Sequence, residues 1–543
     1  MPDQEQQMTQ KSKPSALSPF KHRTFTIMWL AALVSNIGTW MHSVGASWLM
    51  TDLSPSPLLI ALVQSAAMLP MFLFALPAGA LADIFNRRTL LLLTNSFMLV
   101  AAILFALLVW RGEATALWLL LFTFCLGAGT AFMAPAWQAV IPRMVPREDL
   151  PQAIALGGIS MNLSRAVGPA VAGILISLYG LASPFILNAL SFIFIILALA
   201  WWKYQSPTPS RTLPPERVLP AMRAGTRYAW HSQPMKNTLW HVLGFMFFAN
   251  AFWGLLPLIS RSQLEGDATF FGFLMGAIGT GGILGAFLLP TFKEYLNANR
   301  LVATGGAGAA LVIGLFAFTR SPIVALGASF LFGLSWILVL STLNVSAQLA
   351  LPDWVRARGL AVYLMTFSGS MSLGAAFWGW LADAASIQTA MLGAAIGALL
   401  FIAFAYRFEL QQGEHLDLSP SHYWPEPVTH HDIQHDAGPV LVQVSYRIEE
   451  TDRAAFLEAL YALRASRKRN GAYRWGIYED TRQPGVYVEY YLEETWAEHL
   501  RHHDRLPHAD TPLQETVLTF LTDGRPPRVQ SFLAAHRPDR RRS

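Results

Sequence analysis

An arginine in the middle of a long apolar run offers the most chemistry in this chain. Arg165 falls near mid-depth of the stretch 151–179, with Asn162 one helical turn earlier. A charged side chain at a bilayer centre costs about 2.5–3.5 kcal/mol on insertion scales, so it faces a cavity or a partner. Two readings stand: a contact to an anion or phenolate in a central cavity, or an arginine satisfied by carbonyls or by Asn162 between helices. His42, in the first apolar run, is the main embedded titratable group besides it, with Asn36, Trp40 and Trp48 near it in sequence. Histidine changes charge near neutral pH. The carboxylates Asp52, Asp83, Asp353 and Asp383 all fall at or near the ends of apolar runs. That leaves His42 and Asp52 as the candidates for proton coupling, each open to a packing role instead. Asn36, Trp40, Asn162 and Arg165 are the expected substrate contacts.

The elements that position these residues are about twelve apolar runs, predicted at 25–51, 57–82, 89–110, 115–140, 151–179, 183–202, 238–260, 269–292, 301–319, 322–350, 358–384 and 387–408. About 20 mostly apolar residues span the hydrocarbon core as a helix. Lipid leaves only helices or a closed barrel as spanning structures. The fold class is therefore an all-α membrane protein with an added soluble part. Of the 34 acids, 13 precede Glu409, so the last quarter of the chain is a water-soluble tail. Lysine and arginine set the orientation: with the N-terminus inside, inner loops carry 18 and outer loops 3, the positive-inside pattern. Both ends of the chain are then expected in the cytoplasm. The net charge of +5 reflects these loops and is no sign of nucleic-acid binding. No cleavable signal peptide is expected, because the first apolar run leads into a full span. Cys125 is the single cysteine, which excludes an intrachain disulfide.

The predicted organisation is a cytoplasmic segment 1–24, a six-helix bundle 25–202, a proline-rich basic linker 203–237, a second bundle 238–408, a linker 409–438, a soluble domain 439–536 and a basic tail 537–543. One surface helix, Glu216 to Trp230, is expected in the first linker. The halves repeat faintly: Gln138–Pro142 corresponds to Gln348–Pro352 at an offset of 210. Such parallel repeats suit a transporter with its site between two bundles. The six glycines of span eight, from Gly272 to Gly285, are expected to serve close helix packing.

The first inner turn reads Gly79-Ala-Leu-Ala-Asp83-Ile-Phe-Asn-Arg87-Arg88. It resembles the signature between spans two and three of the major facilitator superfamily, departing from it at Ile84 and Asn86. The resemblance implies two six-helix bundles, alternating access, and a gate in which Gly79 allows close approach and Asp83 pairs with Arg87 or Arg88. Further segments, Trp29 to Met41, Ala134-Pro135-Ala-Trp-Gln138 and Arg165-Ala-Val-Gly168-Pro169, resemble the branch of the enterobactin exporter and its relatives, the transmembrane secretion effectors. That branch implies export. Gly168-Pro169 is similar to the span-five antiporter motif of drug exporters, a conformational element; a simple proline bend is the other reading.

In the tail, Val440–Ile448 alternates like a strand, Asp452–Arg467 reads as an amphipathic helix, and Tyr473–Glu479 with Val486–Leu492 reads as a hairpin. Helices over Thr495–Arg505 and Thr511–Leu521 and a strand over Arg528–Leu533 complete a β-α-β-β-α-β, ferredoxin-like order. It resembles the antibiotic biosynthesis monooxygenase superfamily, with Glu489, Trp496 and His499 where that group often carries an acid, a tryptophan and a histidine. The resemblance implies pairing into a homodimer through this domain. His499, His502, His503 and His508 read as solvated. The linker residues His430, His431, Asp432, His435 and Asp436 suit zinc in type, yet no metal and no cofactor is expected.

The expected function is a bacterial inner-membrane exporter of siderophore-like or amphipathic, drug-like small molecules by proton antiport. Its partners are a small-molecule substrate, protons and the lipid bilayer. An importer of the same fold, and a transporter whose tail is an enzyme or ligand sensor, are the alternatives.

Overall fold

The computed structural model describes residues 15–202, 218–412, 417–419, 421, 433–522 and 526–535, with the backbone alone at 80, 83, 84, 218–221, 503 and 504. The expected contact of Asp83 and the histidines at 430 and 431 therefore lie outside the described side chains.

Twelve helices are long and apolar enough to cross a membrane. The first half holds α1 (Arg23–Leu53), α2 (Pro57–Ile84), α3 (Arg87–Trp110), α4 (Ala116–Val140), α5 (Leu150–Tyr179) and α6 (Ser183–Trp201). A linker helix α7 (Val218–His231) precedes α8 (Gln233–Ser262), α9 (Ala268–Tyr295), α10 (Ala298–Phe316), α11 (Pro322–Leu349), α12 (Arg356–Ala384) and α13 (Ile387–Ala405). Short polar side chains start several of these helices. Ser56, Asn86, Thr115, Asp267, Asn297 and Ser386 each accept a hydrogen bond from a first-turn amide of the helix that follows, which satisfies donors the helix itself cannot. Asn86 thereby explains one departure from the family signature: it caps α3.

The described chain divides into two compact units. The first takes the residues up to 207, 240–343 and 364–407. Its first-half core is a continuous cluster in which Met28, Leu91, Val140, Phe192 and Leu199 join α1, α3, α4 and α6. The two halves meet along helix pairs. On α5 and α9 a Cβ at Gly272 would lie 2.6 Å from the Pro169 carbonyl oxygen, and one at Gly279 would lie 2.6 Å from Ala166 Cα. Ser177 and Thr269 share a hydroxyl hydrogen bond of 2.7 Å at one end of this seam. The other face of α9 packs on α11, where Gly281 and Gly333 seat against the backbones of Phe330 and Ile278. Between α2 and α12, Ser65 Oγ donates to the Ser372 carbonyl at 2.7 Å and Ser56 Oγ to Asp383 Oδ1 at 2.9 Å. Gly272, Gly279, Gly281 and Gly285 of span eight are thus packing residues on two faces.

The second unit takes 208–239, 344–363 and 408 onward. This unit joins α7 and the adjacent ends of α8, α11 and α12 with the tail. The tail holds β1 (Val440–Arg447), α14 (Arg453–Asn470), β2 (Arg474–Glu479), β3 (Val486–Glu493), α15 (Trp496–Arg505), α16 (Thr511–Leu518) and β4 (Arg528–Leu533). The sheet order is β2-β3-β1-β4, with every neighbouring pair antiparallel. Val440, Val442, Val444 and Tyr446 alternate onto the face covered by Phe456, Leu460 and Leu463 of α14.

Gly279 and Gly276 separate close packing from simple helix propensity. Alanine at Gly276 meets only ordinary contacts, at 3.4 Å and beyond, whereas at Gly279 it meets backbone. Overpacking costs about 1–3 kcal/mol. Gly279→Ala is therefore expected to melt several degrees lower in detergent, and Gly276→Ala to melt at or above the parent temperature; equal melting of the two would show that the α5–α9 seam is loose.

Candidate functional site

The candidate site grows from the packing of α1 on α5. Trp29 Nε1 donates to the Leu156 carbonyl at 2.9 Å, fixing the start of the two helices. Further along, a Cβ at Gly168 would lie 2.7 Å from Trp40 Cβ and 3.1 Å from the Ile37 carbonyl oxygen. The glycine therefore lets α5 touch α1 beside Trp40. One turn earlier on α5 the Arg165 guanidinium lies over the Trp40 ring, its carbon 5.3 Å from the centroid. Arg165 Nε is buried and has no hydrogen-bond partner. A cation over an indole face gains about 0.5–2 kcal/mol but uses none of the five donors of the guanidinium. Neither a carbonyl nor Asn162 satisfies that Nε.

Asn162 is half-buried and lies one turn from Arg165; Asn36 is half-buried and lies one turn before Trp40. Spacings of three and four put each pair on one helix face. The exposed hydroxyls of Thr39 and Ser43 extend this region of α1, bonded to the carbonyls of Ser35 and Thr39 at 3.0 Å each. Sequence reasoning passed over them, although a hydroxyl at every fourth position of a span was the available signal.

His42 lies elsewhere. It is buried, with its ring 5.0 Å from Phe185 of α6 and 6.0 Å from Phe105 of α3, and neither nitrogen has a partner. Its nearness to Trp40 in sequence does not bring the two side chains together: residues two apart on a helix point about 200° apart. Asp52 is also differently placed from a free proton site. It pairs with Arg261 of α8, whose Nη1 also donates to Thr51 Oγ1 at 2.9 Å and whose guanidinium lies 5.8 Å from the Trp48 ring centroid. Trp48 in turn stacks on Phe271 of α9 at 5.8 Å. Arg261 ties the two halves together at this end, and the sequence reading missed it.

The close approach expected at Gly79 is not made. Gly79 has nothing within 4 Å of where a Cβ would stand. Arg88 donates to the Leu199 and Ala200 carbonyls at 2.8 and 2.7 Å, and Arg87 to the Ala139 carbonyl at 3.3 Å. Cations suit helix C-termini, so both arginines bind the ends of α6 and α4 within their own half.

The tail holds a buried polar core. Glu489 accepts from Arg467 Nε at 3.1 Å, Tyr446 Oη at 2.8 Å and Trp475 Nε1 at 2.8 Å. Burial raises the pKa of such a carboxyl, but Arg467 and these hydrogen bonds outweigh it and hold it down. Glu493 is bracketed by His499 Nδ1 at 2.6 Å and by His502 Nδ1. Burial alone would raise its pKa; the two histidines bring it to about 2. The expected solvated histidines are thus corrected: His499 and His502 are buried, because their spacing of three turns both onto the strand acid. Among the described residues no group of three or more His, Cys, Asp or Glu could hold a metal ion.

Twelve candidate spans in two halves are the architecture of the major facilitator fold. Solved transporters share the fold: a POT family transporter in complex with a thioalcohol-conjugated peptide aligns at a TM-score of 0.58 with 12% identity over 71% of this chain and 96% of that one. A bacterial homologue of the human lysosomal transporter Spinster aligns at 0.55 with 16% identity over 72% and 98%. The chain belongs to the transmembrane secretion effector family, which matches residues 14–539. Among curated relatives, the staphyloferrin A transporter of Staphylococcus aureus (strain NCTC 8325 / PS 47) is 24% identical over 48% of this chain and 65% of its own length, so that match spans just under two thirds of the relative. The multidrug efflux pump Tap of Mycolicibacterium fortuitum is 25% identical over 70% and 94%. The enterobactin exporter EntS of Shigella boydii serotype 4 (strain Sb227) is 26% identical over 59% and 76%.

The pKa of Glu493 makes the tail acid-sensitive. A carboxyl lowered on folding contributes stability that is present above its ordinary value, near 4.5, and lost as pH falls toward 2. Amide exchange of β3 in the full chain is expected to accelerate through that window. Glu493→Gln should show fast exchange already at pH 6 and little further acid dependence; a parent-like profile in that variant would remove the carboxylate from the account.

Proposed function

We propose that the protein is a proton-driven exporter of small anionic or phenolic organic molecules across a bacterial inner membrane. The observation that carries this reading is the buried, unpartnered Nε of Arg165 beside the Trp40 ring. An aromatic surface and a spare cationic donor together match a phenolate or carboxylate on a flat ring. Relatives named for siderophores and for drugs support the same solute class. Asn36 and Asn162 supply further polar contacts, and Gly168-Pro169 is the joint at which α5 rests on α1 while the bundles rock.

In this reading both chain ends are cytoplasmic, as the 18-to-3 bias of basic residues supports. The Asp52–Arg261 end is then outermost, and the α1–α8, α2–α12 and α5–α9 contacts close it. Asp52 is the proton site: parting of the halves removes Arg261, and the bared carboxylate takes a proton. His42, enclosed by phenylalanines, serves packing. At the inner end Gly79, Asp83, Arg87 and Arg88 form the gate, the arginines keeping the ends of α4 and α6 in register.

The strand order of the tail supports the ferredoxin-like reading. Its open sheet face supports a homodimer: Leu441 stands in register with Leu492 and Phe532, and Tyr478 stacks on Tyr490 at 5.3 Å. Phe532→Glu is expected to shift the solubilised full chain from dimer to monomer in mass measurements; a monomeric parent would remove the pairing.

Energised inverted vesicles test the transport reading. Catechol-type siderophores and lipophilic drugs are added singly, and proton efflux is recorded. At least one anionic or phenolic compound should trigger efflux, with its half-saturating concentration raised about tenfold or more in Arg165→Gln, the loss of one charge-assisted hydrogen bond. Asp83→Asn should abolish the signal at unchanged expression. Efflux at parent levels in Arg165→Gln would overturn the site, and full activity in Asp83→Asn would overturn the gate.

A further inference from the structure

In the tail a hydroxyl joins the pair formed by Glu493 and His499. Ser531 Oγ of β4 lies 3.2 Å from His499 Nε2, and His499 Nδ1 lies 2.6 Å from Glu493 Oε2 at the end of β3. The other carboxylate oxygen is taken by His502 Nδ1, so the acid is held from both sides. The sheet explains why these residues meet. Ser531 stands in register with Val442, and Glu493 with Val440. Paired residues share a face, as do residues two apart on a strand, so serine and acid project from the same face. The spacing of three on α15 turns His499 and His502 together onto that face. Trp496, one turn earlier, sets its ring 5.0 Å from that of His499.

The arrangement fixes where the protons stand. Glu493 is ionised, because the two histidines outweigh its burial and bring its pKa to about 2. An ionised carboxylate only accepts hydrogen bonds, so His499 Nδ1 carries the proton of that bond. In the neutral ring Nε2 is then a lone pair, and Ser531 Oγ–H donates to it. His499 is buried, whereas Ser531 is exposed. A hydroxyl bonded to a base that a third group orients is the arrangement that activates a weak nucleophile, and it is recognised by geometry, not by chain order. The main chain adds a donor. The Ala534 amide donates to the Pro439 carbonyl at 3.0 Å. Hydrogen-bonded and non-hydrogen-bonded pairs alternate along antiparallel strands, so Ser531 and Val442 form a non-hydrogen-bonded pair and the Ser531 amide points away from β1. In the order β2-β3-β1-β4 that direction is the edge of the sheet. Val529 and Leu533, both exposed, flank the serine on its own face.

We propose that the tail is a serine esterase for small carboxylic esters with an apolar acyl chain, with Ser531 as nucleophile, His499 as general base and Glu493 as the positioning residue behind it. Ser531 Oγ bonds to the ester carbonyl carbon as its proton passes to His499 Nε2. The carbonyl electron pair moves onto oxygen, beside the Ser531 amide. The pair then returns, the bond to the alcohol oxygen breaks, and the alcohol leaves with the proton from His499. Water, giving a proton to the same Nε2, attacks the acyl-serine; the acid departs and Ser531 recovers its proton. The sum is ester and water to acid and alcohol. Glu493 touches neither serine nor ester: it holds the imidazole in the required tautomer and favours the imidazolium that forms. Val529 and Leu533 offer the apolar shoulders on which the acyl chain rests. The activity goes beyond the export reading and is independent of it.

The test uses the purified full chain and two probes: a fluorophosphonate, which phosphonylates activated serines, and p-nitrophenyl butyrate. Peptide mass mapping should place the phosphonate on Ser531. Ser531→Ala, a change at an exposed position, should remove the label and the release of nitrophenol together. The labelling rate of the parent should rise with pH through one titration and then level, as a general base requires. His499→Gln should slow labelling by about a hundredfold or more. Glu493→Gln should slow it and move the midpoint to lower pH, because the acid no longer favours the protonated ring. No label, label on other residues only, or nitrophenol release that survives in Ser531→Ala overturns the proposal. A rate that follows hydroxide without levelling overturns the base, and slower labelling at an unmoved midpoint in Glu493→Gln overturns the role of the acid. None of these results bears on the vesicle experiment.

Discussion

In hydrocarbon no water stands ready to satisfy a polar group, and that constraint organises the whole transport body. Each span must close its backbone hydrogen bonds within itself, which makes it a helix. Where a backbone approaches another, the approach is bought with glycine, as at Gly168 on Trp40 and Gly279 on Ala166. Where a side chain carries charge near a span end, it is bound there: Arg87 and Arg88 to carbonyls, Arg261 to Asp52. Arg165, near mid-depth, lies over the Trp40 ring with its Nε buried and unpartnered, an arrangement that is costly unless something offsets it.

The contacts between the halves fall into two kinds with different consequences. Along α5 and α9, glycine lets main chain rest on main chain, a contact of many weak attractions that is sensitive to fractions of an ångström. At the Asp52 end, Arg261 makes an ion pair, a hydroxyl contact and a ring contact at once. The first kind defines a surface on which two rigid bundles fit. The second is partly exposed, its energy modest in water, and so breaks without large cost. A transporter needs both: seams that seat well and latches weak enough to open.

Much of this was legible in the residues, for reasons of period. Twelve apolar runs, the surface helix now seen as α7 and the strand-helix order of the tail all follow from spacing alone, and element ends shift by only a few residues. Arg165 stood out because a lone charge in an apolar run is costly. What the chain order could not supply was direction around a helix and partners distant in sequence. His42 and Trp40 are two residues apart, and the helix sends them to opposite sides. Asp52 meets Arg261 across 209 positions. Gly79 matched a signature whose close approach this conformer does not make. The tail histidines read as solvated because nothing in a polar helix announces that the preceding strand ends in a buried acid.

The tail raises the question of why a transporter should carry a second folded unit whose core is so polar. Glu489 and Glu493 are wholly buried and each is bound by two or more donors. Replacing such networks by apolar side chains is often neutral or stabilising, whereas removing one partner is costly. Stability alone is therefore a poor reason for them. A satisfied polar core specifies one arrangement of α14 and α15 on the sheet, since any slip leaves a charge unpaired. That fixed arrangement is what presents Arg469 and Arg505 together, one to the end of α7 and the other to the turn between α11 and α12. A loosely packed domain would let each contact form independently; rigidity in the tail core is the physical condition for the two to form together.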